Sequence, residues 1–187
     1  MDLIVASVFI IIYGIRLGYQ AYLRRQREEG SKKGNWSELL LVIVPKNILV
    51  IITVYLLAIG IPRTPIFWIG WLIFLVGIII RMIALKQIGS MYSTNVEIRH
   101  QHKLICTGIY SLVRHPLYLA YFVDTFGVIL FLQKIYFYPI LILTFWGLKI
   151  RLRNEERELI NFFGNVYKEY SLKVPALNIF KNILARK

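Results

Sequence analysis

Arg151 and Glu155 stand one helical turn apart in the run R-L-R-N-E-E at 151–156. On a helix that spacing puts both side chains on one face. A guanidinium fork grips a carboxylate through two parallel hydrogen bonds, and a glutamate one turn along can hold the fork in place. The pair could orient an anionic group, or it could be an ordinary ion pair on a helix surface. A second polar run, T-G-I-Y-S-L-V-R-H-P-L-Y, occupies 107–118. All three histidines, His100, His102 and His115, lie in it or just before it. Glu155, Glu156, Glu158 and Glu169, four of the ten acidic residues, lie in 151–175. Ionisable groups set against hydrophobic spans are costly, so such a concentration marks a site.

The three histidines could ligate a metal, but their spacing is irregular and Cys106 is the only cysteine, so no metal is assigned. The chain has no phosphate-binding P-loop and no G-x-S-x-G nucleophile elbow. It also lacks G-x-G-x-x-G and a βα pattern to hold one, which argues against a Rossmann-type nucleotide site.

The elements that must position these residues are apolar. Of 187 residues 57% are hydrophobic, and the mean hydropathy is +0.59, too high for an ordinary soluble domain. Apolar runs occupy 3–23, 39–60, 67–85, 117–132 and 135–150. The first three meet the ~20 residues a membrane span needs. The last two are shorter and read as a helical hairpin. The N-terminus lacks a basic leader and a small-residue cleavage site, so 3–23 reads as a retained span. The net charge of +13 is concentrated after runs one, three and five. By the positive-inside rule the N-terminus is outside, and the first loop, the 89–115 connection and the C-terminus are cytoplasmic. The basic excess is a topology and anionic-lipid signal rather than a nucleic-acid one.

Pro116 opens the fourth run at the favoured first helical position. Free backbone N–H groups there favour a carboxylate or phosphate. Further on, Leu159, Phe163, Val166 and Tyr170 recur at helical spacing, with Arg157, Glu158, Asn161, Asn165 and Lys168 opposite. This is an amphipathic helix for the membrane surface or the histidine-bearing loop. Asp124, an acid within a span, should face the bundle; it reads as a contact to substrate or to a cofactor cation or, in the favoured reading, as a hydrogen-bonded structural carboxylate near Tyr121 or Lys149. The expected fold class is thus an all-α membrane protein of about five transmembrane helices with a C-terminal hairpin and a cytoplasmic amphipathic helix. We expect one domain over 1–187, with three spans in 1–86 and the loop, hairpin and amphipathic helix in 87–175.

The pattern T-G-x-Y-x-x-x-R-H-P-x-Y, a short hydrophobic hairpin, and then R-x-x-x-E-E-x-x-L-I-x-x-F-G-x-x-Y-x-x-Y resembles the isoprenylcysteine carboxyl methyltransferase family. That family sits within a wider group of integral-membrane methyltransferases that includes phospholipid N-methyltransferases. The resemblance covers about 89–175, and the chain looks like a prokaryotic-type member. It implies S-adenosylmethionine as methyl donor and S-adenosylhomocysteine as product. Carried over by motif, His102, Leu104, Tyr110, Arg114, His115, Tyr118 and Glu156 form the cofactor pocket, and Arg151 and Glu155 the catalytic pair. The implied reaction is O-methylation of a lipid-like, isoprenylcysteine-type carboxylate on the cytoplasmic face. Membrane lipids and a prenylated acceptor are the implied partners, with no nucleic acid. The alternatives are a phospholipid N-methyltransferase, a membrane sterol reductase using a nicotinamide cofactor, and a non-enzymatic lipid-binding membrane protein.

Overall fold

The computed structural model describes residues 2–25, 36–89 and 104–178, without the side chains of 2, 24 and 36–42. Among the described residues six α-helices follow one another: α1 (Asp2–Arg25), α2 (Trp36–Ile59), α3 (Pro65–Ile88), α4 (Pro116–Leu132), α5 (Tyr138–Phe163) and α6 (Asn165–Lys173). Single 3₁₀ turns at Gly108–Ser111 and Ile135–Phe137 precede α4 and α5. Prolines open α3, α4 and α5, where the missing N–H breaks no helical bond. Among the described residues there is no strand.

Three helical stretches, Leu3–Leu23, Pro65–Ile88 and Ile135–Phe163, are long and apolar enough to cross a membrane. Ile43–Ile59 and Pro116–Leu132 are apolar but shorter. Large side chains such as Ile11, Ile51, Trp68, Leu72, Leu143 and Trp146 are exposed on the outer helix faces, as suits lipid-facing surface. Inside, Phe9, Phe67, Trp71, Phe74 and Phe131 pack as one aromatic cluster.

The α3–α4 pair is the most extensive helix contact. A methyl group at Gly77 would lie 2.7 Å from Asp124 Cβ, and one at Gly127 would strike the Phe74 backbone. Absent side chains at these positions let the two backbones touch. Where α4 meets this surface, Asp124 pairs with Lys46 of α2 and, at 2.8 Å, with Arg81 of α3. The ring of Tyr121 lies 3.8 Å from Lys46 Nζ and 5.4 Å from Arg81 Cζ. The expected neighbour Tyr121 is therefore present, while Lys149 turns instead to the Trp146 ring at 5.2 Å. Lys149 is on α5, and cations of two other helices reach Asp124 first.

The apolar run at 135–150 continues into the polar stretch as one helix, and α5 runs unbroken to Phe163. It carries Arg151, Glu155 and Glu156 on its last turns. The C-terminal part departs from the sequence reading in one respect. The expected single amphipathic helix through Tyr170 is divided at Gly164, whose φ of 57° and ψ of −128° lie where only glycine is unstrained. The turn moves Val166 out to solvent or lipid, 64% exposed, and buries Tyr167 and Tyr170. Val166 thus leaves the face to which its spacing had assigned it.

Candidate active site

The polar residues converge where α3 and α5 end and α4 begins. Gln87, on the last turn of α3, clamps the loop ahead of α4. Its Nε2 donates to the Thr107 carbonyl at 2.9 Å, and its Oε1 accepts from the Ile109 N–H at 3.1 Å. The clamp closes over Gly108, whose φ is 55° and where any Cβ would overlap the Gln87 amide. The following 3₁₀ turn buries Tyr110.

Residues 170–176 return to this loop. Tyr170 OH donates to the Tyr110 carbonyl at 2.5 Å. Arg114 Nη1 donates to the carbonyls of Ser171 (2.5 Å) and Val174 (2.8 Å). The backbone N–H groups of Arg114 and His115 donate to Pro175 and Ala176 at 3.0 and 3.1 Å. The donors expected to be free at the entry of α4 are therefore partly occupied by the chain itself.

From α5, Glu156 Oε1 accepts from Arg114 Nε at 3.0 Å and Nη2 at 2.5 Å, and lies 3.2 Å from His115 Nε2. Glu155 Oε2 accepts a hydrogen bond from the Tyr118 hydroxyl and lies 4.0 Å from His115 Nδ1. The His115 and Tyr118 rings stack, 5.6 Å apart and 11° from parallel. The buried Arg151 guanidinium sits 6.0 Å from the Tyr118 ring centroid. Tyr118 therefore touches both members of the pair that the α5 register sets side by side.

Above these groups lies a cleft partly open to solvent. Ile88, Leu104, Ile105, Leu159 and Phe163 give it apolar walls, and Tyr110, Arg114, His115, Glu155, Tyr167 and Tyr170 its polar ones. Burial pushes the Tyr167 and Tyr170 hydroxyls up in pKa, with Glu156 adding to the effect at Tyr167. Both remain protonated donors across the physiological range. The Tyr167 hydroxyl is buried without a hydrogen-bond partner among the described residues.

Of the residues singled out in the sequence, Leu104, Tyr110, Arg114, His115 and Glu155 line the cleft. Tyr118 and Arg151 meet beside Glu155, and Glu156 is held below by Arg114 and His115. His102 and His100 lie outside the described residues. No three metal-ligating side chains gather among the described residues. Gln87, Tyr167 and Tyr170 escaped the sequence reading. The final Y-x-x-Y of the second motif was the available signal, but helical spacing alone assigned it to a packing face.

A bundle of apolar helices with one charged, tyrosine-lined cleft at its helix ends defines a multi-pass integral-membrane protein with its polar site at one end of the bundle. A profile of the isoprenylcysteine carboxyl methyltransferase (ICMT) family matches residues 68–161. The chain belongs to this family. It is 37% identical over 114 residues to the protein-S-isoprenylcysteine O-methyltransferase of Dictyostelium discoideum, covering 57% of this chain and 46% of that one. The Saccharomyces cerevisiae enzyme of the same name is 37% identical over 108 residues, covering 56% and 45%. The chain spans about half the length of these curated relatives. These relatives are eukaryotic, and they lend no support to a prokaryotic-type member. The solved structure of the eukaryotic intramembrane Ras methyltransferase ICMT without a monobody superposes with a TM-score of 0.61 at 20% identity, over 91% of this chain and 67% of that one. That likeness establishes the shared fold.

Proposed function

We propose that the chain transfers the methyl group of S-adenosylmethionine to the carboxylate of a lipid-like, isoprenylcysteine-type acceptor. The observation that carries this reading is the meeting of Arg151, Glu155 and Tyr118 beside the cleft. Relatives named as protein-S-isoprenylcysteine O-methyltransferases support it. In this reading α1–α5 cross the bilayer with the N-terminus outside, and the cleft faces the cytoplasm. The acceptor's tail lies in lipid and its polar end reaches the cleft.

The cleft's donor set fits the methyl donor. Tyr110 and Tyr170 offer aromatic faces for a purine or a sulfonium. His115 can donate a hydrogen bond to a carboxylate, Arg114 holds that wall in place through Glu156 and two carbonyls, and Tyr167, whose buried hydroxyl has no partner among the described residues, lines the same space. His102 joins them by motif, while Glu156 acts through Arg114 and His115. Bound there, S-adenosylmethionine supplies an electrophilic methyl carbon, so that a carboxylate oxygen's electron pair forms the ester bond as sulfur takes back its own pair.

The residues of the chain do the rest. A free carboxyl group has a pKa of about 3–4 and is already ionised at neutral pH. The acceptor needs no general base, only alignment and exclusion of water. Arg151 grips and aims the acceptor carboxylate, and Glu155 fixes Arg151. Glu155 itself is anchored by the Tyr118 hydroxyl, which suits a holding group better than the free base that an amine acceptor requires.

The test is calorimetry of S-adenosylhomocysteine with detergent-purified protein, NADPH as control, followed by methyl transfer to an N-acylated S-farnesylcysteine. Saturable binding of the former and ester formation are expected. Binding of NADPH alone, or folded protein that binds neither, would refute the assignment.

A further inference from the structure

The last turn of α5 and the whole of α6 turn large apolar side chains outward at the end of the bundle that holds the cleft. Phe162, Val166 and Leu172 are 44%, 64% and 87% exposed. Exposed beside them are Arg157, Lys168 and Lys173, against Glu158 and Glu169. On α6 Lys168 and Leu172 stand one turn apart, on the side opposite the buried Tyr167 and Tyr170. Apolar side chains flanked by lysines suit a helix lying in the headgroup layer. There the lysine stems lie along apolar surface and their ammonium groups reach phosphate.

The contacts fix the level of α6. Glu155 and Glu156 of α5 meet Tyr118, Arg114 and His115 at the opening of α4. Ile88, the last residue of α3, lines the same cleft. The apolar stretches of α3 and α4 therefore both end there. From Glu156 to Phe163 α5 rises about 10 Å at ~1.5 Å per residue, little more than one headgroup layer of roughly 5–8 Å. The chain then turns back at Gly164. Tyr170 bonds the Tyr110 carbonyl, and the carbonyls of Pro175 and Ala176 accept from Arg114 and His115. Helix α6 thus lies between the turn and the opening of α4, at the edge of the hydrocarbon, rather than projecting from the bundle.

We propose that α6 docks on anionic phospholipid headgroups of the surrounding bilayer through Lys168, Lys173, Val166 and Leu172, and that this docking steadies the cleft for its cofactor. The occupant follows from the chemistry of the face. Any lipid receives the apolar side chains, but only an anionic one adds attraction for the two lysines. Each lysine near such a surface favours docking roughly fivefold, and Glu169 offsets one of the two. The same helix carries Tyr167 and Tyr170 into the cleft, so fixing it on lipid keeps two of the walls in place. The coupling to the cofactor rests on the methyl-transfer reading; the docking does not.

The experiment compares the full chain in nanodiscs of phosphatidylcholine and of phosphatidylcholine mixed with phosphatidylglycerol. Backbone hydrogen exchange over 165–173 is expected to slow about fivefold in the anionic discs, with exchange in α3 unchanged. Affinity for S-adenosylhomocysteine is expected to rise by up to the same factor. Lys168→Gln with Lys173→Gln removes the difference between the two lipids, whereas Lys168→Arg with Lys173→Arg keeps it. Leu172→Ser speeds exchange over 165–173 in both. Equal exchange in the two discs, a difference that survives the glutamine pair, or equal protection by soluble glycerol phosphate in phosphatidylcholine discs overturns the docking. Slowed exchange with unaltered cofactor affinity overturns the coupling to the cleft. A wild-type protein that binds no S-adenosylhomocysteine in either disc overturns the methyl-transfer reading instead, while the exchange result still decides the docking.

Discussion

Replacing Tyr118 by phenylalanine separates two roles for this residue. The motif places Tyr118 in the cofactor pocket, whereas its hydroxyl bonds Glu155 and its ring lies under Arg151. The substitution keeps the ring and its stacking on His115 and removes the hydroxyl alone. A hydrogen bond to a charged group is worth about 1.5–3 kcal/mol. Lost from Glu155, the proposed holder of Arg151, that energy corresponds to a roughly 10–150-fold lower kcat. Because a phenyl ring still fills the wall, the affinity for S-adenosylhomocysteine should change less than threefold. The assay is transfer of a labelled methyl group in nanodiscs, with calorimetry of the same samples. A tenfold weaker cofactor affinity at unchanged kcat would refute the reasoning and return Tyr118 to the cofactor. An unchanged kcat and affinity together would show that Glu155 needs no anchor.

Tyr167→Phe removes a buried hydroxyl that the described protein leaves unpaired, so melting should be unchanged or slightly raised; calorimetry should still show severalfold weaker S-adenosylhomocysteine binding, and unaltered binding would mean the hydroxyl faces no ligand. Gln87→Ala deletes both clamps on 107–109, for a loss of about 1–3 kcal/mol in loop order, read as an approximately tenfold weaker cofactor affinity with near-wild-type KM for the acceptor. Gly77→Ala forces a methyl group against Asp124 and should lower stability by about 1–3 kcal/mol, whereas Gly14→Ala, which meets nothing within 4 Å, should be neutral or stabilising in the same thermal melt. Arg114→Gln breaks the pair with Glu156 and two carbonyl contacts; hydrogen exchange across 165–178 should accelerate strongly, and unchanged protection there would show that Arg114 is not what holds the segment.

Much of the architecture is legible because lipid enforces it. The five apolar runs became α1–α5, since a backbone in hydrocarbon must bond within its own helix. The Arg151–Glu155 register was readable from spacing alone, because α5 carries straight through the edge of its apolar stretch. What escaped depends on tertiary approach. Nothing local in the sequence brings Lys46 and Arg81 to Asp124; glycines at 77 and 127 bring Arg81 there by letting α3 and α4 touch, and Lys46 arrives from α2. The glycine at 164 was visible, but whether it takes a helical or a positive φ is decided by the docking of Tyr167 and Tyr170 against the 104–115 loop. For the same reason Glu156 proved a partner of Arg114 rather than a wall of the cleft.

The contacts of Arg114 also set an order on biosynthesis. This residue is made 60 positions before Val174, whose carbonyl it binds. At ~5–20 residues per second the ribosome needs roughly 3–12 s to cover that distance. Val174 itself leaves the exit tunnel only after the apolar helices α1–α5, which all precede it in the chain. The cleft can close only after α1–α5 have been made, so a nascent chain stalled within α5 has no assembled pocket.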